Sequence, residues 1–163
     1  LAPAAHGATR TGRVFTGDKS ADFLFNCLFK SGLSNQPNSD HINDGLKLKN
    51  TFITLALRCV PPEDKPTKEE LKNCSAFFKE ELNMIKNKKV IVALGKIAFD
   101  SCIKFYKENY GLMGSYKFGH GSKYDINGLT IFGCYHPSPR NVNTKRINAT
   151  KMTYLLKRAK KLI

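Results

Sequence analysis

The segment 134–146, CYHPSPRNVNTKR, combines residue types that can act on a phosphate-bearing substrate. The imidazole of His136 can donate a hydrogen bond to a group that becomes negatively charged during a reaction. Pro137 and Pro139 fix φ around it, which would keep the ring in place. An ordinary turn would use Pro, Asn and Ser in the same way, to fix or cap the backbone. The candidates for holding phosphates here are Ser138, Arg140, Asn141, Asn143 and Arg146.

The segment 1–18, LAPAAHGATRTGRVFTGD, is a second candidate for ligand binding. Its small residues allow backbone N–H groups to approach an anion closely. Arg10 and Arg13 can neutralise phosphates, Phe15 can stack on a base, and Asp18 can orient a water molecule. The spacing supports equally a simple loop in which Asp18 caps the following helix.

Two further stretches have a chemical and a structural interpretation. In YKFGHGSKY, 116–124, aromatic residues and lysines surround His120, which suits contacts to unpaired bases but also a turn with a surface histidine. Cys59 and Cys74, with 14 residues between them, can supply half of a four-thiolate metal site. Two buried thiols are an equally good interpretation. We expect Cys27 and Cys102, which lie among apolar residues, to be buried as small hydrophobic side chains.

The elements that must position these residues alternate along the chain. The predicted helices are 19–32 with Ser20 as N-cap, 67–87 with a capping box of Thr67 and Glu70, a helix from Gly95 to about Tyr106, and 146–162. The predicted strands are 50–57, 90–94 and 129–135. This alternation predicts a parallel α/β sandwich. Because 58–66 and 134–146 would both follow strands, we expect them at one edge of the sheet.

Composition favours a nucleic-acid-binding protein. A net charge of +14, from 27 Lys and Arg against 13 Asp and Glu, attracts polyanions, although lysines spread over solvated faces would give the same total. The chain has 163 residues, 41% of them hydrophobic, which suffices for a single domain over 1–163. It has no apolar run of the roughly 20 residues that cross a bilayer and no signal peptide. We therefore expect a soluble, cytoplasmic protein that needs no membrane.

Taken in order, these motifs resemble those of the uracil-DNA glycosylase superfamily. The likeness is greatest to its family 5, the type b enzymes of thermophilic archaea and bacteria. LAPAAHGATRTGRVFTGD is similar to the family's first motif, and RCVPPEDKPTKEELKNC is similar to its cysteine segment. FGHG and HPSPRNVNTKR resemble its F-x-HG and HPS-x-x-N-x-x-TGR elements. Lys145 stands where the last of these usually has Gly, so we expect a different turn there.

The resemblance implies hydrolysis of the N-glycosidic bond of uracil in DNA, and of other deaminated bases such as hypoxanthine, after the base leaves the stack. His136 would stabilise the departing anionic base, by about 2 to 4 kcal/mol if it acts as one oxyanion donor does. Asp18 would position water or stabilise the sugar cation, since the acidic or amide residue that other branches of the superfamily place in the first motif is alanine here. Asn141 would contact DNA near the abasic site. Base contacts would come from Phe15, His120 and the backbone of Ala2, Ala4 and Ala5.

The resemblance also implies a four-iron four-sulfur cluster held by Cys59, Cys74 and two upstream cysteines that this chain lacks. The implied fold is a three-layer sandwich around a mostly parallel four-stranded sheet. Since the first motif normally follows a strand, we expect the first strand and the rest of an N-terminal portion to be missing. The expected form is a monomer. The alternative function is a basic nucleic-acid-binding module that keeps this scaffold without catalysis.

Overall fold

The computed structural model of the chain describes residues 2–4 and 7–163, with the backbone alone for Asp64. The helices are α1 (Ala8–Thr11), α2 (Lys19–Lys30), α3 (Lys68–Met84), α4 (Lys96–Tyr110), α5 (Pro139–Asn143) and α6 (Ala149–Lys160), with a 3₁₀ turn at Pro62–Asp64. The strands are β1 (Val90–Leu94), β2 (Lys123–Ile126) and β3 (Leu129–Cys134). The α/β class is therefore confirmed.

The chain folds into two compact units. The first consists of Ala2 with Thr54–Cys134 and contains the sheet, α3 and α4. The second consists of Pro3–Ile53 with Tyr135–Ile163 and contains α1, α2, α5 and α6. The single domain over 1–163 stays a prediction, because it concerns folding as one cooperative unit.

The sheet of the first unit has the strand order β1-β3-β2. β3 is central and all of its residues are buried, which explains its continuous apolar sequence. It pairs in parallel with β1, with Val90 opposite Thr130, and antiparallel with β2, with Ile126 opposite Leu129. Among the described residues the sheet thus has three strands, one parallel pair and one antiparallel pair, where four mostly parallel strands were expected.

The predicted strand over 50–57 is wrong. Leu55, Ala56 and Leu57 are buried, whereas Phe52 is exposed and Ile53 is half-buried, and the backbone joins neither a helix nor a strand ladder. β-branched and aromatic residues indicate burial in an extended conformation, and burial does not require a hydrogen-bonded neighbour. Since 58–66 follows no strand, the expectation that it shares a sheet edge with 134–146 also fails.

β2 was not predicted, although the sequence carries a signal for it. Asn127 and Gly128 join β2 to β3 with φ values of 48° and 83°, the left-handed pair of a two-residue hairpin turn. The Asn-Gly dipeptide is the preferred sequence for that turn, so it could have predicted the hairpin of β2 and β3.

Local signals predicted the long helices well. Glu70 N donates to Thr67 Oγ1 at 3.1 Å and Thr67 N donates to Glu70 Oε2 at 2.6 Å, which confirms the capping box of α3. The N-cap of α2 is Asp18 rather than Ser20. The last helix begins at Ala149, because Asn148 caps it, and the short α5 precedes it.

Each unit has its own apolar core. Phe99 and Ile131 are fully buried in the first unit, and Phe25 and Met152 from the facing helices α2 and α6 are buried in the second. Cys27 and Cys102 are buried as predicted, and burial raises the pKa of the Cys102 thiol to about 12. Within residues 2–4 and 7–163, none of the helices has the length and apolar composition that a bilayer crossing requires.

Replacing Thr67 by Ala should lower the free energy of unfolding by about 1 kcal/mol, because the first turn of α3 loses its side-chain acceptor. Urea denaturation followed by circular dichroism measures this change. Ser75→Ala is the matched control: the Ser75 hydroxyl is exposed within α3 and donates to the Lys72 carbonyl, so its loss should change stability by less than about 0.5 kcal/mol. Equal effects of the two substitutions would contradict a stabilising cap.

Candidate active site

The segment after β3 places His136 at the start of a short helix in the second unit. Ser138 is the N-cap of α5, and its Oγ accepts a hydrogen bond from Asn141 N at 3.4 Å. Pro139 occupies the first helical position, where its missing N–H costs nothing. Pro137 is fully buried, which anchors the chain immediately after the histidine.

Asn141 holds the backbone of His136. Its Nδ2 donates a hydrogen bond of 2.9 Å to the His136 carbonyl oxygen. The carbonyl is thereby bound by a side chain from one turn further along the chain. The geometry gives Asn141 a positioning role, whereas the family resemblance implied a contact with DNA.

The His136 side chain is half-buried, and this burial lowers its pKa to about 4. Removal from water disfavours the charged form of an imidazole. At neutral pH the ring is therefore uncharged, with one nitrogen donating and the other accepting a hydrogen bond.

Phe15 lies beside His136. The two ring centroids are 5.8 Å apart and the ring planes are inclined by 32°. Phe15 has φ 52°, in the left-handed region that a bulky side chain rarely adopts. Such a conformation costs about 1 to 3 kcal/mol and persists only where the surroundings hold it. The site therefore brings together two of the predicted residues from distant parts of the chain.

A polar network holds the turn that contains Phe15. Arg13 Nη2 donates to Asp44 Oδ2 at 2.6 Å and to Ser39 Oγ at 2.9 Å, and Arg13 Nε donates to Thr16 Oγ1 at 3.0 Å. The hydroxyls of Thr16 and Ser39, both fully buried, are 2.6 Å apart. The Arg13 guanidinium holds the pKa of the Asp44 carboxyl well below its usual range.

This network gives Arg13 a role that was not predicted. Its Nη2 and Nε are committed inside the protein, so the guanidinium supports the Phe15 turn, and its contact with a DNA phosphate stays a prediction. Thr16, Ser39 and Asp44 were not predicted. Ser39 and Asp44 lie in a polar loop 26 and 31 residues from Arg13, and no local pattern links such distant positions.

Asp18 is held between a helix and the first loop. Its Oδ1 accepts a hydrogen bond from Ala21 N at 2.8 Å, as the N-cap of α2. Its Oδ2 lies against Gly7, where an added Cβ atom would be only 2.1 Å away. Only glycine fits at position 7 while the carboxylate stays there. The capping interpretation of Asp18 thus fits the geometry, and its role toward water stays a prediction.

The remaining predicted residues are distributed over both units. In the second unit Ala4 is exposed, and so are Arg10, Arg140, Asn143 and Arg146. Ala2 and His120 belong to the first unit, and Ala5 lies outside the described residues. His120 is half-buried in a loop tied to β3: Gly121 N donates to Gly133 O at 2.8 Å, and Gly133 N donates to Ser122 O at 2.9 Å.

Lys145 has φ 57°, in the left-handed region that favours glycine. Its backbone N–H donates to the Val142 carbonyl at 2.9 Å, which closes the end of α5. The lysine therefore occupies a conformation that suits the glycine usual at this point of the motif. An L-residue pays roughly 1 to 2 kcal/mol for this conformation.

The two cysteines expected to bind a cluster do not by themselves make a site. Cys59 is exposed and Cys74 is half-buried on α3. The described residues bring together no group of three or more His, Cys, Asp or Glu side chains that could hold a metal ion. A four-iron cluster needs four thiolates, and three of the five cysteines are buried elsewhere. The residues present therefore do not fit a complete cluster.

Comparison with known proteins identifies the family to which the chain belongs. The model of the Uracil DNA glycosylase superfamily matches residues 1–160. A type-5 uracil-DNA glycosylase of Pyrobaculum aerophilum is 43% identical, over 98% of this chain and 68% of its own length. Those of Thermus thermophilus and Mycobacterium bovis are 40% and 41% identical, each over 99% of this chain. The chain spans 73% of the Thermus relative and 60% of the Mycobacterium relative.

These similarities confirm the family that the motifs predicted and, with it, the enzyme class of that family. The matched region includes the Phe15 turn, the His136 segment and the sheet alike. The chain belongs to the uracil DNA glycosylase superfamily and, within it, to the type 5 uracil-DNA glycosylases.

Proposed function

We propose that the chain hydrolyses the N-glycosidic bond of uracil in DNA after the base has left the double helix. The observation that carries this proposal is the pair of rings from Phe15 and His136, 5.8 Å apart in a half-buried setting. Phe15 offers a face on which an extruded base stacks, and His136 offers a donor at the edge of that base. The curated relatives, named uracil-DNA glycosylases, support the same activity.

In this reaction the bond between sugar carbon and base nitrogen breaks, and its electron pair stays with the base. The base leaves as an anion and the sugar becomes an oxocarbenium ion, as in other glycoside hydrolyses. A water molecule adds its oxygen to the sugar carbon, and its released proton finally neutralises the base. His136 donates a hydrogen bond to the base as negative charge develops, which stabilises the transition state more than the ground state.

Asn141 and Ser138 act through His136 in this proposal. Ser138 fixes the first turn of α5, and Asn141 fixes the His136 carbonyl, so the imidazole is oriented before the substrate binds. A donor that is already oriented does not have to reorganise when charge develops. Asp18 is proposed to position water or to stabilise the cationic sugar with the carboxylate oxygen beside Gly7.

Polar side chains of the second unit are proposed to bind the DNA backbone. The exposed ones are Arg10, Arg140, Asn143 and Arg146, and Arg13 and Ser138 are half-buried. Contacts of this kind set register and affinity but do not read sequence. We propose that Ala2, Ala4, Ala5 and His120 contribute to the base pocket, and that hypoxanthine is a second substrate.

We propose that Cys59 and Cys74 are two of the four ligands of an iron-sulfur cluster in a longer form of the protein. The exposed thiol of Cys59 is accessible to a metal, and the curated relatives are longer than this chain. No catalytic step depends on this cluster. Iron content and visible absorption of anaerobically purified longer protein, with Cys59→Ser for comparison, would test it.

Replacing His136 by Ala should lower kcat on a uracil-containing oligonucleotide by about 10²- to 10³-fold, as for loss of one oxyanion donor. Alkaline cleavage of abasic sites measures the rate. His41→Ala is the matched control and should keep full activity, since His41 is exposed in a polar loop. Binding of DNA without strand cleavage by the unaltered chain would instead support the non-catalytic binding module.

Replacing Asn141 by Ala separates its two possible roles. If it positions His136, kcat should fall about fivefold while the Kd for abasic DNA changes less than about twofold, since a lost hydrogen bond is worth about 1 kcal/mol. A raised Kd with unchanged kcat would assign Asn141 to DNA contact instead. Thr144→Ala, exposed at the end of the same helix, is the control for general damage to α5.

Stability should fall as the pH drops from about 6.5 to 4 because of His136. Its folded-state pKa, about 4, lies below the ordinary value of 6.5, so the unfolded chain takes up the proton first as the pH falls. The loss is about 2 to 3 kcal/mol at pH 4, from 1.36 kcal/mol per unit of pKa difference. Urea unfolding from pH 7 to 4 measures it, and His136→Gln should remove this part of the dependence. The same slope in both proteins would contradict a depressed pKa.

A further inference from the structure

A cleft of about 330 Å³ lies in the first unit, at the amino ends of β1 and β3. It is lined by the segment 86–89, by Tyr106 and Tyr110 of α4, and by the hairpin turn at Asn127 and Gly128. The last residue of this unit, Cys134, lies at the other end of β3. The two ends of β3 are about 17 Å apart, because the strand rises about 3.4 Å per residue. None of the residues assigned to glycosidic hydrolysis lines the cleft.

The lining of the cleft is cationic. Its ten residues include Lys86, Lys88 and Lys89 and no Asp or Glu. Lys88 is fixed at the end of α3, where its Nζ donates to the carbonyls of Leu82 at 2.8 Å and Ile85 at 3.1 Å. An ammonium has three donors, so one remains for a ligand.

The neighbouring lysines differ from Lys88 in exposure. Lys86 and Lys89 are both exposed. The Lys89 backbone is nonetheless anchored, because its carbonyl accepts a hydrogen bond from Thr130 N at 2.9 Å. The cleft therefore has two exposed ammonium groups beside an anchored backbone, an arrangement that suits a phosphate with several acceptor oxygens.

Tyr106 supplies an independent sign of a ligand. The residue is only 5% exposed, and its hydroxyl is buried without a hydrogen-bond partner among the described residues. Buried polar atoms nearly always have a partner, so an unpartnered one at a cleft indicates a missing ligand or water. Burial raises the pKa of the Tyr106 phenol, so the group stays protonated and can donate.

Tyr110 adds an aromatic surface. Its ring stacks on that of Tyr106, with centroids 5.3 Å apart and planes inclined by 30°, and half of the residue is exposed. An exposed aromatic face beside lysines is the arrangement on which unpaired bases stack. The volume of the cleft lies at the lower end of the range for small-molecule sites.

We propose that this cleft binds one nucleotide unit, with its phosphate on Lys86 and Lys89, a hydrogen bond from the Tyr106 hydroxyl, and its base against Tyr110. The shared chemistry is a phosphate ester attached to a planar base. It is supplied by a free mononucleotide or by one residue of a single strand. This binding is separate from hydrolysis at His136 and does not depend on it.

Calorimetric titration with thymidine 5′-monophosphate tests the proposal, with thymidine and inorganic phosphate as partial probes. The full chain should bind the nucleotide saturably and more tightly than either part. Replacing both Lys86 and Lys89 by Gln should weaken binding by at least about tenfold, the effect of 1.4 kcal/mol. The control Lys72→Gln with Lys79→Gln removes the same charge from exposed positions of α3 and should change affinity less than about twofold.

Tyr106→Phe distinguishes a ligand contact from a structural role. It should weaken nucleotide binding by threefold or more, while the thermal midpoint should not fall, because the buried hydroxyl loses no protein partner. Titration with 5′-phosphorylated dT8 distinguishes the two sources. If dT8 binds more tightly than the mononucleotide and its binding depends on Lys86 and Lys89, the ligand is a single strand. If the two bind with equal affinity, the ligand is the free nucleotide.

Three results would overturn the proposal. The first is no saturable binding of either the nucleotide or dT8. The second is an equal loss of affinity in the Lys72 and Lys79 control, which would mean general charge attraction. The third is equally tight binding of an octaglutamate peptide through the same lysines, which would identify an acidic protein partner.

Discussion

The ion pair of Arg13 and Asp44 is the interaction on which the candidate active site depends. It is nearly buried, since the Asp44 side chain is only 6% exposed, and a buried charge is stable only when it is paired and hydrogen-bonded. The same guanidinium also donates hydrogen bonds to the hydroxyls of Thr16 and Ser39. This fixed frame offsets the unfavourable φ of Phe15, whose ring could not otherwise be held beside His136.

The two halves of the site are built by different means. The Phe15 turn is held by side chains that cross between loops, whereas His136 is held by its own chain through Pro137, Ser138 and Asn141. Burial keeps the imidazole neutral, so its contribution comes from a fixed dipole rather than from a full charge.

The sequence predicted those features that short-range chemistry determines. Thr67 with Glu70, and the apolar run of β1, were read correctly because caps and buried strands carry their signals within a few residues. The segment 50–57 was misread because apolar composition reports burial and not pairing. The hairpin at Asn127 was overlooked although its signal was local.

The candidate site likewise has features that short-range patterns predict and features that depend on distant residues. His136 and Phe15 were identified by residue type and by motif, and the structure brings their rings together. The structural role of Arg13 was not predicted, because its partner Asp44 lies 31 residues away in a loop of no regular pattern. A side chain that forms a long-range ion pair and one that awaits a phosphate look alike in a sequence. Only the fold distinguishes them.

The contact between Gly7 and Asp18 has a consequence for how this family can vary. The carboxylate leaves no space for a side chain at position 7, and it is held there by its bond to the amino end of α2. A substitution at position 7 must therefore displace the aspartate, and with it the start of the helix. A change at position 18 to a smaller residue would release that restriction. The two positions are therefore coupled, because a side chain fits at position 7 only when the carboxylate of residue 18 is absent or displaced.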